Sequence, residues 1–343
     1  MPVFRTRVFR TGALASAAAL AVLAFASQAL AWGSTGHRLI GQIGTASLPD
    51  EVPAFLRMPQ AIQDIGELAR EPDRWRGSGK THDTTRDPGH FVDVDDGGKI
   101  LGGPALDALP QTRAEYEAAL RAVGAETYHA GYLPYSIIDG WQQLAKDFAY
   151  WRILKAAVPR EHNPERKAWL ERDLERREIL TVNDLGVWAH YVGDASQPMH
   201  VSVHYNGWGA YPNPNGYTQE RVHVPFEGDY VHRHVTADQV RAAMTPANPC
   251  EDAVETCTAR YLATTASKVL PYFELQKAGG FFGADPRGPV FARERVAAGA
   301  SALRDFVTAA WRASARGSIG YPAITVDQVV GGADPYDALY GDD

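Results

Sequence analysis

The stretch WAHYVGDASQPMH, Trp188 to His200, sets His190 and Asp194 four residues apart. On a helix that spacing puts both side chains on one face, one turn above the other. Pro198 ends or kinks such a helix, because it lacks a backbone N–H and clashes with the preceding turn, so His200 comes round from the helix's end. A second pair, His223 and Glu227 in VHVPFEG, repeats the spacing, with Pro225 placing it at a helix's first turn or in a tight loop. One His-x-x-x-carboxylate pair is ordinarily a surface or capping contact. Two of them, joined by His37 and His90, point to metal ligation. The chain has two cysteines and no CxxC pair, so a metal site here must use imidazole and carboxylate.

Outward from this stretch the periodicity is helical. Ile137, Trp141, Leu144, Phe148 and Trp151 recur at spacings of four and three, drawing one apolar stripe on a long helix, and Val296, Ala300, Leu303 and Val307 do the same near the C-terminus. NPERKAWLERDLERREI opens on an Asn-Pro start signal and reads as a charged, solvated helix. Strand signals are few, no internal repeat is present, and Gly/Pro-rich loops are expected at about 71–90, 97–110, 204–220 and 278–289. The expected fold class is all-α, a single helical domain with long loops, and long loops in compact domains commonly carry function.

Residues 1–31 hold Arg5, Arg7 and Arg10, an apolar run from about Leu14 to Ala26, and the small-x-small triplet Ala29-Leu30-Ala31, which together fit a cleavable secretory signal. The apolar run is shorter than the ~20 residues of a spanning helix. Cleavage after Ala31 leaves Trp32 as the mature N-terminus and residues 32–343 as the working domain, exported to the periplasm or beyond the cell. A composition 45% hydrophobic and 22% charged belongs to an ordinary globular chain. Its formal charge of −7, or −10 once the three arginines of the signal are gone, excludes any general attraction to polyphosphate. Cys250 and Cys257 have six residues between them, and in an exported protein a local disulfide is the favoured reading.

Two stretches, WGSTGH at Trp32 to His37 and the HYVGDASQPMH quoted above, give the chain a resemblance, over roughly Trp32 to Glu227, to the S1/P1 nuclease and zinc-dependent phospholipase C superfamily. The resemblance implies a helical secreted enzyme holding three zinc ions and hydrolysing phosphodiesters. It also gives the tryptophan a role, since in this family the freed N-terminal residue binds zinc through its α-amine and carbonyl oxygen. Such an amine titrates near pH 8 and is a serviceable ligand once deprotonated. Carried over, one zinc falls to Asp73, His90, His190 and Asp194. A second falls to Trp32, His37 and the other oxygen of Asp194, and a third to His200, His223 and Glu227. Asp73 stands in REPDRWR, without the family's usual surroundings, and Asp83 or Asp87 competes for its place; Arg76, three residues on, matches a basic residue that contacts phosphate.

The expected catalytic groups are then Asp73, Asp194 and Arg76, and the expected chemistry is two-metal hydrolysis with a third ion at the leaving oxygen. Within HFVD, Phe91 matches the residue that stacks a nucleobase and Asp93 the one that accepts from its edge, so single-stranded nucleic acid or 3′-nucleotides are the expected substrate. Glu227, where nucleases carry Asp, and the HVPFEGDYV run lean instead towards a phospholipase C. A non-catalytic zinc-binding protein is the third reading. His82, His129, His162, His232 and His234 are expected to be solvated, His204 has no assigned partner, and Tyr132, Tyr135 and Asp139 either line the cleft or start a helix.

Overall fold

The computed structural model describes residues 32–341, so the expected signal segment lies outside the described residues. Helix dominates, and the two apolar stripes become the helices Leu133–Ala157 and Arg287–Ser314. Ile137, Leu144 and Phe148 are buried and Trp141 and Trp151 pack at the margin, while Val296, Ala300, Leu303 and Val307 are all buried. The Asn-Pro signal starts a helix as expected, with the Asn163 side chain accepting from the Glu165 and Arg166 amides. That helix does not stop at the charged segment. It runs unbroken from Pro164 to Asp194, a span of roughly 46 Å at 1.5 Å per residue, so its solvated first half carries His190 and Asp194 into the core.

Leu133–Ala157 packs along Pro164–Asp194, and the first described helix, Gly33–Ala46, lies against Pro59–Leu68, Pro164–Asp194 and Arg287–Ser314. Close approach depends on residues without a Cβ. One added at Gly140 would stand 2.1 Å from the Trp188 ring, and one at Gly186 would stand 2.4 Å from the Leu68 Cβ. The main apolar cluster runs through these helices, and a second, smaller one joins Leu133–Ala157 to the C-terminal segment through Ala149, Ile153, Ile319 and Val329. The strands Ser318–Ile319 and Ile324–Thr325 pair antiparallel, Ser318 opposite Thr325. No helix among the described residues is long and apolar enough to cross a membrane.

The expected loops are only partly loops. Segment 71–90 folds into the short helices Glu71–Arg74 and Lys80–Arg86 and the 3-10 turn Asp87–His90, because Pro72 and Pro88 each start a turn. A 3-10 turn, Leu106–Ala108, interrupts 97–110, and the last expected loop ends where Arg287 begins its helix, whereas 204–220 stays irregular. Cys250 and Cys257 form a disulfide, joining a loop to the helix Val254–Ala266.

Candidate metal centre

The end of Pro164–Asp194 fixes the centre. Pro198 stops the helix, and the chain turns through Pro198–His200, bringing His200 beneath its end. Asp194 is fully buried and faces two ways. Its Oδ2 lies 3.2 Å from His190 Nε2 and 3.2 Å from His90 Nδ1, and its Oδ1 lies 3.5 Å from His37 Nε2. The rings of His37 and His190 stack at 3.9 Å. Asp73 Oδ1 stands 4.0 Å from His90 Nδ1, so the structure brings Asp73 rather than its competitors to this cluster. Asp83 bonds His82 and the Gly77 amide, and Asp87 lies 3.9 Å from Arg76. Arg76 Nε is 3.6 Å from Asp73 Oδ1.

Glu227 enters on a widened helical turn, Pro225–Tyr230, and His223 lies two residues ahead of that turn, in keeping with the first-turn reading of Pro225. His223 Nε2 lies 2.8 Å from Glu227 Oε2 and 3.0 Å from His200 Nε2, and Gln197 donates to Glu227 Oε2 at 3.1 Å. Three sets of ligand atoms thus converge: His37, His190 and Asp194; Asp73, His90 and His190; and His200, His223 and Glu227. The structure therefore gives His190 to two sets.

Backbone carbonyls settle the tautomers. His190 Nδ1 lies 2.8 Å from Ala69 O and His200 Nδ1 lies 2.6 Å from His90 O. A carbonyl oxygen only accepts, so each Nδ1 carries the proton and each Nε2 turns a lone pair into the cluster. The electrostatics of the bare cluster are uncomfortable. Burial pushes the Asp194 carboxyl well above its usual range, holds His90 well below its own, and brings His190 down to about 4. Asp73 is likewise raised by burial, with His190 and Arg76 opposing. Burial acts on Glu227 too, yet His223 and His200 bring it below the ordinary carboxylate value. Asp73 Oδ1, Asp194 Oδ1 and Glu227 Oε1 are buried without a hydrogen bond among the described residues. Orphaned carboxylate oxygens facing imidazole lone pairs are a donor set that fits a divalent cation of the zinc type.

Trp32 is fully buried beside this cluster, its indole Nε1 donating to Gly193 O and Ser196 Oγ, both at 2.8 Å. The structure thus seats the tryptophan against the residue before Asp194. Phe91 is half-buried, and its carbonyl oxygen would lie 2.0 Å from any Cβ at Gly131, which adopts a positive φ of 72°. Asp93 is buried, its Oδ1 without a hydrogen bond among the described residues, and burial raises its pKa well above the usual value.

Other expected residues have structural roles. Tyr132 and Tyr135 are buried at the start of Leu133–Ala157, donating to Thr85 O and Pro110 O, and together with the exposed Asp139 they also line a cavity of about 880 Å3 beside Glu71, Trp75 and Tyr191, so they start the helix and line a cavity at once. His204 stacks on Trp208 at 3.7 Å, and its Nε2 lies 2.9 Å from Asp96 Oδ1, tying two loops together. His82 and His234 are half-buried rather than solvated, while His129, His162 and His232 are exposed. Sequence reasoning missed Ser196 and Gln197, which no spacing marks, and the Ala69 carbonyl, which no side chain signals.

No family model matches the chain, and no curated protein matches it. Among solved structures it is similar to the alpha-toxin of Clostridium perfringens from avian strain SWCP, at 12% identity over 85% of this chain and 68% of that one, with a TM-score of 0.43.

Proposed function

We propose that the chain is an exported zinc-dependent hydrolase of phosphodiesters. The observation that supports this most is the convergence of three largely buried His-carboxylate ligand sets, built on Asp194, Asp73 and Glu227, with imidazole lone pairs fixed inward. Three zinc ions would be held: by Asp73, His90, His190 and Asp194; by His37, Asp194 and the amine and carbonyl oxygen of an N-terminal Trp32; and by His200, His223 and Glu227. Zinc bound there supplies Lewis acidity and offsets the negative charge that makes phosphodiesters resist attack. The chain's own groups do the rest. Arg76, paired with Asp73, would hold a phosphoryl oxygen, and Gln197 keeps the Glu227 carboxylate turned inward.

Two substrate readings each rest on a feature. A phospholipid is favoured by apolar side chains near the third ligand set, for Val224 beside His223, and Tyr205 and Tyr211 on the 204–220 loop, are exposed. A nucleotide is favoured by Asp93 and Phe91, an orphaned buried acceptor two residues from a half-buried ring. Protein beginning at Trp32 and loaded with zinc is incubated with phosphatidylcholine vesicles, single-stranded DNA and RNA, with and without chelator. Chelator-sensitive cleavage of lipid alone selects the phospholipase and of nucleic acid alone the nuclease. Cleavage of none of them overturns the hydrolase reading.

A further inference from the structure

A cavity apart from the metal centre, about 860 Å3, lies between loop 245–252 and the helices Val254–Ala266 and Arg287–Ser314. Arg295, Ala298, Ala302 and Phe306 line it at helical spacing from one face of the longer helix. The acids around it are already served. Asp252 pairs with Arg260 at 2.7 Å, and Asp305 pairs with Arg304 at 2.8 Å while accepting from the Asn248 amide at 3.2 Å. Glu251 stands exposed within the field of Arg312. Arg295 is different. It is half-buried and makes no hydrogen bond or ion pair among the described residues, and Glu294 and the Tyr261 hydroxyl act on it only through space. A guanidinium drawn out of water without a counter-charge is costly, and burial accordingly lowers its pKa.

We infer that this cavity binds a small organic monocarboxylate, its carboxylate on the Arg295 guanidinium and its apolar body against Ala298, Ala302 and Phe306. One uncompensated guanidinium matches one planar, singly charged anion in bidentate geometry. A phosphate dianion would meet the same one guanidinium, because Arg260 on the same wall is held by Asp252, and Glu251 and Asp305 stand around it. The site is separate from the metal centre and takes none of its ligands. Tyr261, on the cavity wall, donates to Val192 O at 2.8 Å, between His190 and Asp194 in sequence.

The test is calorimetric titration of the zinc-loaded protein at constant ionic strength. Benzoate is expected to give a saturable heat, and inorganic phosphate none. Arg295→Gln is expected to weaken benzoate about tenfold or more, the worth of a charge-assisted pair. Ala302→Leu, which fills the apolar floor and keeps the guanidinium, is expected to weaken it as well. No saturable heat with benzoate, an equal response to phosphate, or unchanged benzoate affinity in either folded variant overturns the proposal.

Discussion

At the scale of single residues the centre turns on which atom each side chain offers. Asp194 presents one oxygen to His37 and the other to His90 and His190, whereas His223 meets only the third set. Asp194→Asn is therefore expected to lose more bound zinc, and more activity, than His223→Ala, as read by metal analysis of the purified proteins. Trp32 supplies a second test. Protein beginning at Trp32 is expected to hold about one more zinc per chain than the same protein with an added Met, because an amide nitrogen is no ligand. Equal zinc in the two removes the amine from the site. For Phe91→Ala, a base-stacking role predicts a loss of about 1–3 kcal/mol in nucleotide affinity with little change on a small phosphodiester that lacks a base. The pairs His190/Asp194 and His223/Glu227 were legible because four-residue spacing is a property of the sequence itself. The protons on His190 and His200 were not, since Ala69 O and His90 O set them and a main-chain carbonyl has no letter in the sequence.

At the scale of helices, apolar stripes were legible and close approach was not. Ile137, Leu144 and Phe148 announce a buried face, but nothing local says that Gly140 must admit the Trp188 ring or Gly186 the Leu68 side chain. The same helix pair holds a conflict. Asp147, buried on Leu133–Ala157, has a carboxyl raised to about 7 by burial and by Asp184 on the facing helix, while Gln143 donates to it at 3.0 Å. A carboxyl raised above its unfolded value binds its proton more tightly in the folded state. Its contribution is full below the unfolded pKa near 4 and is lost as pH rises through about 7. Asp147→Asn, which cannot ionise, is therefore expected to be more stable than the parent at pH 8 by several degrees of Tm, the advantage vanishing near pH 4. A thermal melt series of both proteins across that range checks it, and an advantage independent of pH would contradict it.

At the scale of the molecule the candidate metal centre, once loaded, would act as a clasp. His37, Asp73, His90, His190, His200 and Glu227 come from segments spread over most of the described chain and meet around buried charge. Stripping the ions would leave those carboxylates uncompensated, so dialysis against chelator is expected to lower Tm by ten degrees or so, and zinc to restore it, in differential scanning calorimetry. An unchanged Tm would mean that the cluster is stable without metal. The helical class was legible from periodicity, but the single helix from Pro164 to Asp194 was not, because its solvated and buried halves follow different patterns.

The seating of Trp32 bears on how the chain assembles in time. Its indole is held by Gly193 and Ser196, 161 and 164 residues further along the chain. At ordinary elongation rates those partners emerge roughly ten to thirty seconds after the tryptophan itself. Trp32 therefore cannot be docked until the far end of the helix Pro164–Asp194 and the turn after it have been made.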